Sequence, residues 1–271
     1  MREPDARDSV RVLAIILLVQ AGAGALGDRW GISPLVRGVL VQAVFLTVPL
    51  LYARLAGLGM WAASGFSRPG VLRLGLVLAA SLGSLWLLKG LSDLDLRVLT
   101  DLGFPVDRET RQLTRAVGKA REQGGLLAAA VLVLAPAFCE EVFFRGIFFR
   151  GLVRSLGAGW ALGVSTLVFA FWHEYWVQRV MMLFVGLYFG LVVWLAGSLW
   201  AGVAAHAANN LAVLAVTGLW GDRMGELRAP AGMMVLSAVL FGAAVGLLAL
   251  ERAAESPLPA QGSAGRKRPF R

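Results

Sequence analysis

The stretch FCEEVFFRG, residues 138–146, sets two adjacent carboxylates and an arginine among phenylalanines inside one of the most apolar runs of the chain. A charge at the bilayer centre costs about 2.5–3.5 kcal/mol on insertion scales, so such groups face a bundle interior or a wet cavity and pair with one another. At roughly 100° per residue, Glu141 and Arg145 stand four apart on one helix face, and Glu140 points well away from it. The spacing divides the labour: Glu141 is neutralised by Arg145, and Glu140 is left free for chemistry. A purely structural ion pair explains one glutamate and leaves the other without a salt partner.

The rest of the chain sets that stretch in a membrane. Of 271 residues, 58% are hydrophobic, and the mean hydropathy is +0.70; soluble domains sit at about 45–50% apolar. Runs long enough to cross hydrocarbon recur over Val10–Leu26, Pro34–Leu58, Val71–Leu91, Gly125–Leu156, Trp160–Trp172, Val177–Ala196, Leu199–Leu219 and Ala231–Leu250. This predicts an all-α polytopic bundle of about eight transmembrane helices. The first span is read as a retained helix, because acids balance the arginines before it, unlike a secretory signal.

Residues 1–124 form an N-terminal part. It ends in a charged stretch, Ser92–Gln123, too polar to span and read as an interfacial amphipathic segment. Residues 125–250 form the motif-bearing core, and 251–271 a flexible basic tail. The net charge of +9 lies mostly at span ends, where lysine and arginine set topology and meet anionic headgroups. Membrane lipids, not nucleic acid, are therefore the expected partners. Arg266, Lys267, Arg268 and Arg271 place the tail in the cytoplasm, and an even span count puts the N-terminus there too. Two GxxxG pairs, Gly159/Gly163 and Gly186/Gly190, are read as internal packing. The single Cys139 excludes an intrachain disulfide, and its acidic neighbours disfavour a thiolate, which leaves it a small core residue.

Two further polar clusters lie on other spans. FAFWHEYW places Phe169 and His173 at i, i+4, and HAANN places His206 and Asn210 at the same spacing; Asn209 falls about 100° round, outside the set. Each has an ordinary alternative, a satisfied structural histidine or a helix–helix hydrogen bond. Taken together, both histidines of the protein, an unpaired glutamate and an asparagine occur on three spans. A buried carboxylate serves as general base, imidazole holds water, and a second imidazole with a carboxamide offers donors to an oxyanion. These are the parts of a water-using hydrolase acting on a carbonyl.

EExxxR, FxxxH and HxxxN, in this order and each in a hydrophobic span, resemble the CPBP family (CAAX protease and bacteriocin-processing enzymes, also called Abi), which includes the Ras-converting CAAX prenyl protease. The resemblance runs from about Gly125 to Leu219. It implies a bundle around a conical, water-filled cavity and cleavage of a peptide bond near the end of a membrane-associated protein or peptide, the substrate being a CAAX tail, a leader or a C-terminal sorting tail. By that resemblance Glu140 and His173 activate water, His206 and Asn210 stabilise the oxyanion, and Glu141, Arg145 and Phe169 support them. Zinc held by Glu140, His173 and His206 is an alternative; HExxH is absent, and metal-free glutamate catalysis is favoured. The expected location is a multi-pass position in a bacterial cytoplasmic membrane. A non-catalytic scaffold or bacteriocin-immunity protein is the alternative function, with a proton-coupled transporter using Glu140 as its relay behind it.

Overall fold

The computed structural model describes residues 2–59, 65–173, 175–220 and 227–255. Every regular element among them is helical. In chain order these are α1 (Ala6–Arg29), α2 (Pro34–Leu55), α3 (Val71–Gly83), α4 (Leu85–Asp101) and α5 (Val106–Gly124). A winding-altered rod follows, made of α6 (Leu126–Ala129), α7 (Ala135–Glu141) and α8 (Phe149–Leu156). Then come α9 (Ala158–Trp172), α10 (Trp176–Ala196), α11 (Leu199–Trp220) and α12 (Ala231–Glu255). The basic tail lies outside the described residues apart from the end of α12.

Six helical stretches are long and apolar enough to cross a membrane: Ala6–Ala25, Leu35–Leu55, Val71–Asp101, Trp176–Ala196, Leu199–Leu219 and Ala231–Glu255. The short α9 and the rod over residues 126–156 are the other two of the eight expected spans. Large apolar side chains such as Leu18, Leu55, Leu72, Leu82, Trp160 and Val239 stand exposed on the outside, the surface a bilayer covers.

The third span differs from expectation. It continues to Asp101, bending at Ser84. The bend sits where α3 meets α12: a Cβ on Gly83 would lie 3.1 Å from the Phe241 backbone nitrogen, and Ser237 donates to the Gly83 carbonyl. Past the bend, Lys89 neutralises Asp93 one turn on, and Asp93 also accepts from the Ala229 backbone N–H at 3.4 Å. Asp93 is matched in this way, whereas Asp95 is buried with Oδ2 unpartnered among the described residues.

The rod departs from α geometry twice, with π-helical turns over Ala130–Leu134 and Val142–Phe148. Pro136, at the start of α7, has no N–H, and its ring conflicts with the carbonyl four residues back, that of Leu132; widening the preceding turn relieves both. Residues 142–148 are all buried. Their carbonyls are met from outside the rod, Phe148 by the Ser9 hydroxyl of α1 at 3.0 Å and Phe144 by Ser165 of α9 at 3.4 Å. Phe45 of α2 packs on Phe143 and Phe144 at 5.7 and 5.6 Å between ring centres. The rod is therefore the central element, packed against α1, α2, α9 and α11.

Only one of the two glycine pairs mediates a close approach. A Cβ on Gly186 would stand 3.0 Å from Phe169 Cδ1 and 3.5 Å from the Thr166 backbone, whereas Gly159 and Gly163 face open space. Gly186→Val should therefore cost about 1–3 kcal/mol through overpacking against α9. Gly163→Ala should stay within about 0.5 kcal/mol of wild type. Thermal unfolding of the purified variants in detergent distinguishes them.

Candidate active site

The site has two layers, and a single carboxylate makes the lower one. Glu141 ends α7 with no exposed surface. Its Oε1 accepts from Arg145 Nη1 at 2.8 Å and is bonded to His206 Nδ1 at 3.1 Å. Arg145, equally buried, spends Nη2 on the Gly186 carbonyl at 2.9 Å. Its guanidinium lies 4.5 Å from the centre of the Phe169 ring and 5.6 Å from that of Phe189. The rod, α9, α10 and α11 thus meet at one ion pair walled by aromatic faces, where cation–π attraction and the direct contact offset the desolvation of the two charges. His206 stacks on Phe189 at 4.7 Å with ring planes 26° apart. Gly202, one turn before His206, leaves the space the carboxylate fills, since a Cβ there would sit 2.8 Å from Glu141 Oε2.

The upper layer is the reachable one. Glu140 is half-buried, and its Oε1 accepts from Gln42 Nε2 of α2 at 2.8 Å. Glu140, expected to lack a salt partner, is held by a neutral amide rather than a cation. His173 is the residue at which α9 ends, its backbone turning to an extended conformation. Its Nδ1 bonds the Phe169 carbonyl at 3.0 Å, and its ring meets that of Phe169 edge-on at 5.1 Å. Arg179 of α10 donates from Nε to the His173 carbonyl at 3.1 Å, and its guanidinium lies 4.0 Å from the centre of the Trp176 ring. The charges of Glu140, His206 and Arg145 all reach His173 electrostatically, so residues from three spans share one neighbourhood. Phe169 is common to both layers, touching His173, Arg145 and, at 6.1 Å, His206.

Asn210 lies one turn past His206 and is half-buried, while Asn209, expected outside the set, is the more enclosed of the two. Among the described residues, no side-chain hydrogen bond is formed by either. Cys139 is buried and unbonded. Sequence reasoning missed Gln42, Arg179 and Phe189. For Gln42 the available signal was an amide in the middle of an otherwise apolar helix.

The donor set bears on the zinc alternative. Both histidines commit Nδ1, one to a carbonyl and one to a carboxylate, and so turn Nε2 outward, an orientation that suits a metal ligand and a water partner equally. Among the described residues, however, no three His, Cys, Asp or Glu side chains are grouped so as to hold a metal ion. Glu140, His173 and His206 do not form a ligand set in this arrangement, and the chemistry proposed for the site routes no step through one.

The chain is thus a polytopic helical membrane protein with a carboxylate–imidazole cluster inside the bundle. Residues 122–212 match the family model described as Type II CAAX prenyl endopeptidase Rce1-like, and that segment carries all three motifs. Over that segment the chain is similar to CAAX-type intramembrane endopeptidases. No curated protein and no solved structure matches the chain.

Removing Arg145 strands the Glu141 charge in the core. Arg145→Met should cost about 3–5 kcal/mol, and adding Glu141→Gln should recover a good part of that loss. Unfolding of the single and double variants in detergent measures the coupling; a double variant as unstable as the sum of the singles would contradict the pairing.

Proposed function

We propose that this protein is an intramembrane endopeptidase that hydrolyses a peptide bond near the terminus of a membrane-associated protein or peptide, using Glu140 as general base and no metal. The observation that carries this reading is the split between the two adjacent glutamates. Glu141 is locked to Arg145 and His206, whereas Glu140 is half-exposed, near His173, and held only by a neutral donor. A carboxylate engaged by a guanidinium and an imidazole has little left to offer water; one held by a single amide keeps its other oxygen open to it.

The hydrogen bonds support roles for the remaining residues. His173 Nδ1–H points at the Phe169 carbonyl, so Nε2 presents a lone pair to a water between it and Glu140. Glu140 takes a proton from that water, the oxygen adds to the substrate carbonyl carbon, and the carbonyl oxygen becomes an oxyanion. His206, oriented by its Nδ1 bond to Glu141, presents Nε2 as a donor to the oxyanion. The carboxamide nitrogen of Asn210, one turn on, is the second donor. The C–N bond then breaks as Glu140 returns its proton to the leaving amine, giving a new carboxyl terminus and a free amino terminus.

Two outcomes test the reading. Comparative membrane proteomics of wild-type and Glu140→Ala cells should reveal a protein whose terminus is trimmed only in the wild type, with the variant inserted and folded; unchanged trimming would refute it. With that substrate in detergent-solubilised membranes, 1,10-phenanthroline or EDTA should leave the wild-type rate unchanged, and a loss restored by zinc would contradict the metal-free assignment.

A further inference from the structure

Gln42 belongs to neither the three motifs nor the family-matched segment. It lies in α2, where residues 38–46 are otherwise Gly, Ala, Val, Leu and Phe, and its side chain is 8% exposed. Burying an amide in such a helix costs about 1–3 kcal/mol unless it is bonded. Its Nε2 donates to Glu140 Oε1, while its own Oε1 is buried with no partner among the described residues. Phe45, one turn along α2, is fully buried against Phe143 and Phe144, which fixes α2 against the rod. The amide is thereby held at a set place beside the base.

We infer that Gln42 is a positioning residue for Glu140, an assignment that rests on the endopeptidase reading. By holding one carboxylate oxygen, the amide fixes the carboxylate's rotation and leaves the second oxygen for the water. Its free Oε1 suits the other protonation state as well: the same carboxamide donates to a carboxylate and accepts from a carboxylic acid. A neutral partner does this without quenching the base, as a lysine or arginine would.

The test uses the full chain in its own membrane, reading the rate at which the terminus retained in Glu140→Ala cells is trimmed. Gln42→Met keeps the volume and removes the donor; it should lower the rate about 10- to 100-fold, the scale of a misplaced catalytic group, with little change in unfolding temperature. Gln42→Glu turns the donor into an acceptor and should fall at least as far, and Gln42→His, which restores an N–H, should recover part of the rate. A purely packing role would leave Gln42→Met active, and that result would overturn the proposal. In parallel, a thermal double-mutant cycle of Gln42→Met and Glu140→Ala on the purified protein should be non-additive. If the wild type trims nothing, the endopeptidase reading fails; additive shifts in the cycle would overturn the Gln42–Glu140 link on their own.

Discussion

A carboxylate with no exposed surface must find its compensation inside the protein, and Glu141 finds it twice. Arg145 reaches it from the next turn of the same rod and His206 from α11. Arg145 then carries the linkage to α10 through the Gly186 carbonyl. In low dielectric the geometry of such a cluster is demanding, because each unmet charge or donor costs several kcal/mol. The lower layer therefore fixes how the rod, α10 and α11 stand relative to one another. Glu140, being the next residue along the chain, has its position set by the same constraint.

This gives the glutamate doublet a physical meaning. Adjacent residues on a helix point about 100° apart, so one carboxylate can be sealed in the core while its neighbour opens toward a polar space. The sealed acid provides stability and holds an imidazole in one tautomer. The open acid is held on one oxygen by a neutral amide. Aromatic rings from Phe169 and Phe189 separate the guanidinium from the reachable layer and orient both histidines.

How much of this could be read from the chain depends on the range of each interaction. The Glu141–Arg145 pair was legible because i, i+4 spacing brings side chains together on one helix. Six of the eight expected spans were legible from hydropathy and length. His206 as a partner of Glu141 was not, because the contact spans 65 residues of sequence and no spacing rule covers helix-to-helix bonds. The same holds for Gln42, 98 residues before Glu140. The π turns were hidden by the assumption of a uniform α period, although Pro136 was a visible cause of irregular winding. The third span was cut short at Leu91 because its acids were read as exposed, whereas Lys89 and the Ala229 backbone match Asp93.

The central claim is that the two neighbouring acids occupy different environments, one open to water and one sealed. Cysteine accessibility measures this directly: in a Cys139→Ala background, a cysteine at position 140 is exposed in native membranes to a charged, membrane-impermeant methanethiosulfonate reagent, with wild-type Cys139 as the buried comparison. The account predicts that Glu140→Cys is modified readily while the wild-type thiol is not. A position-140 thiol as inert as Cys139 would contradict it.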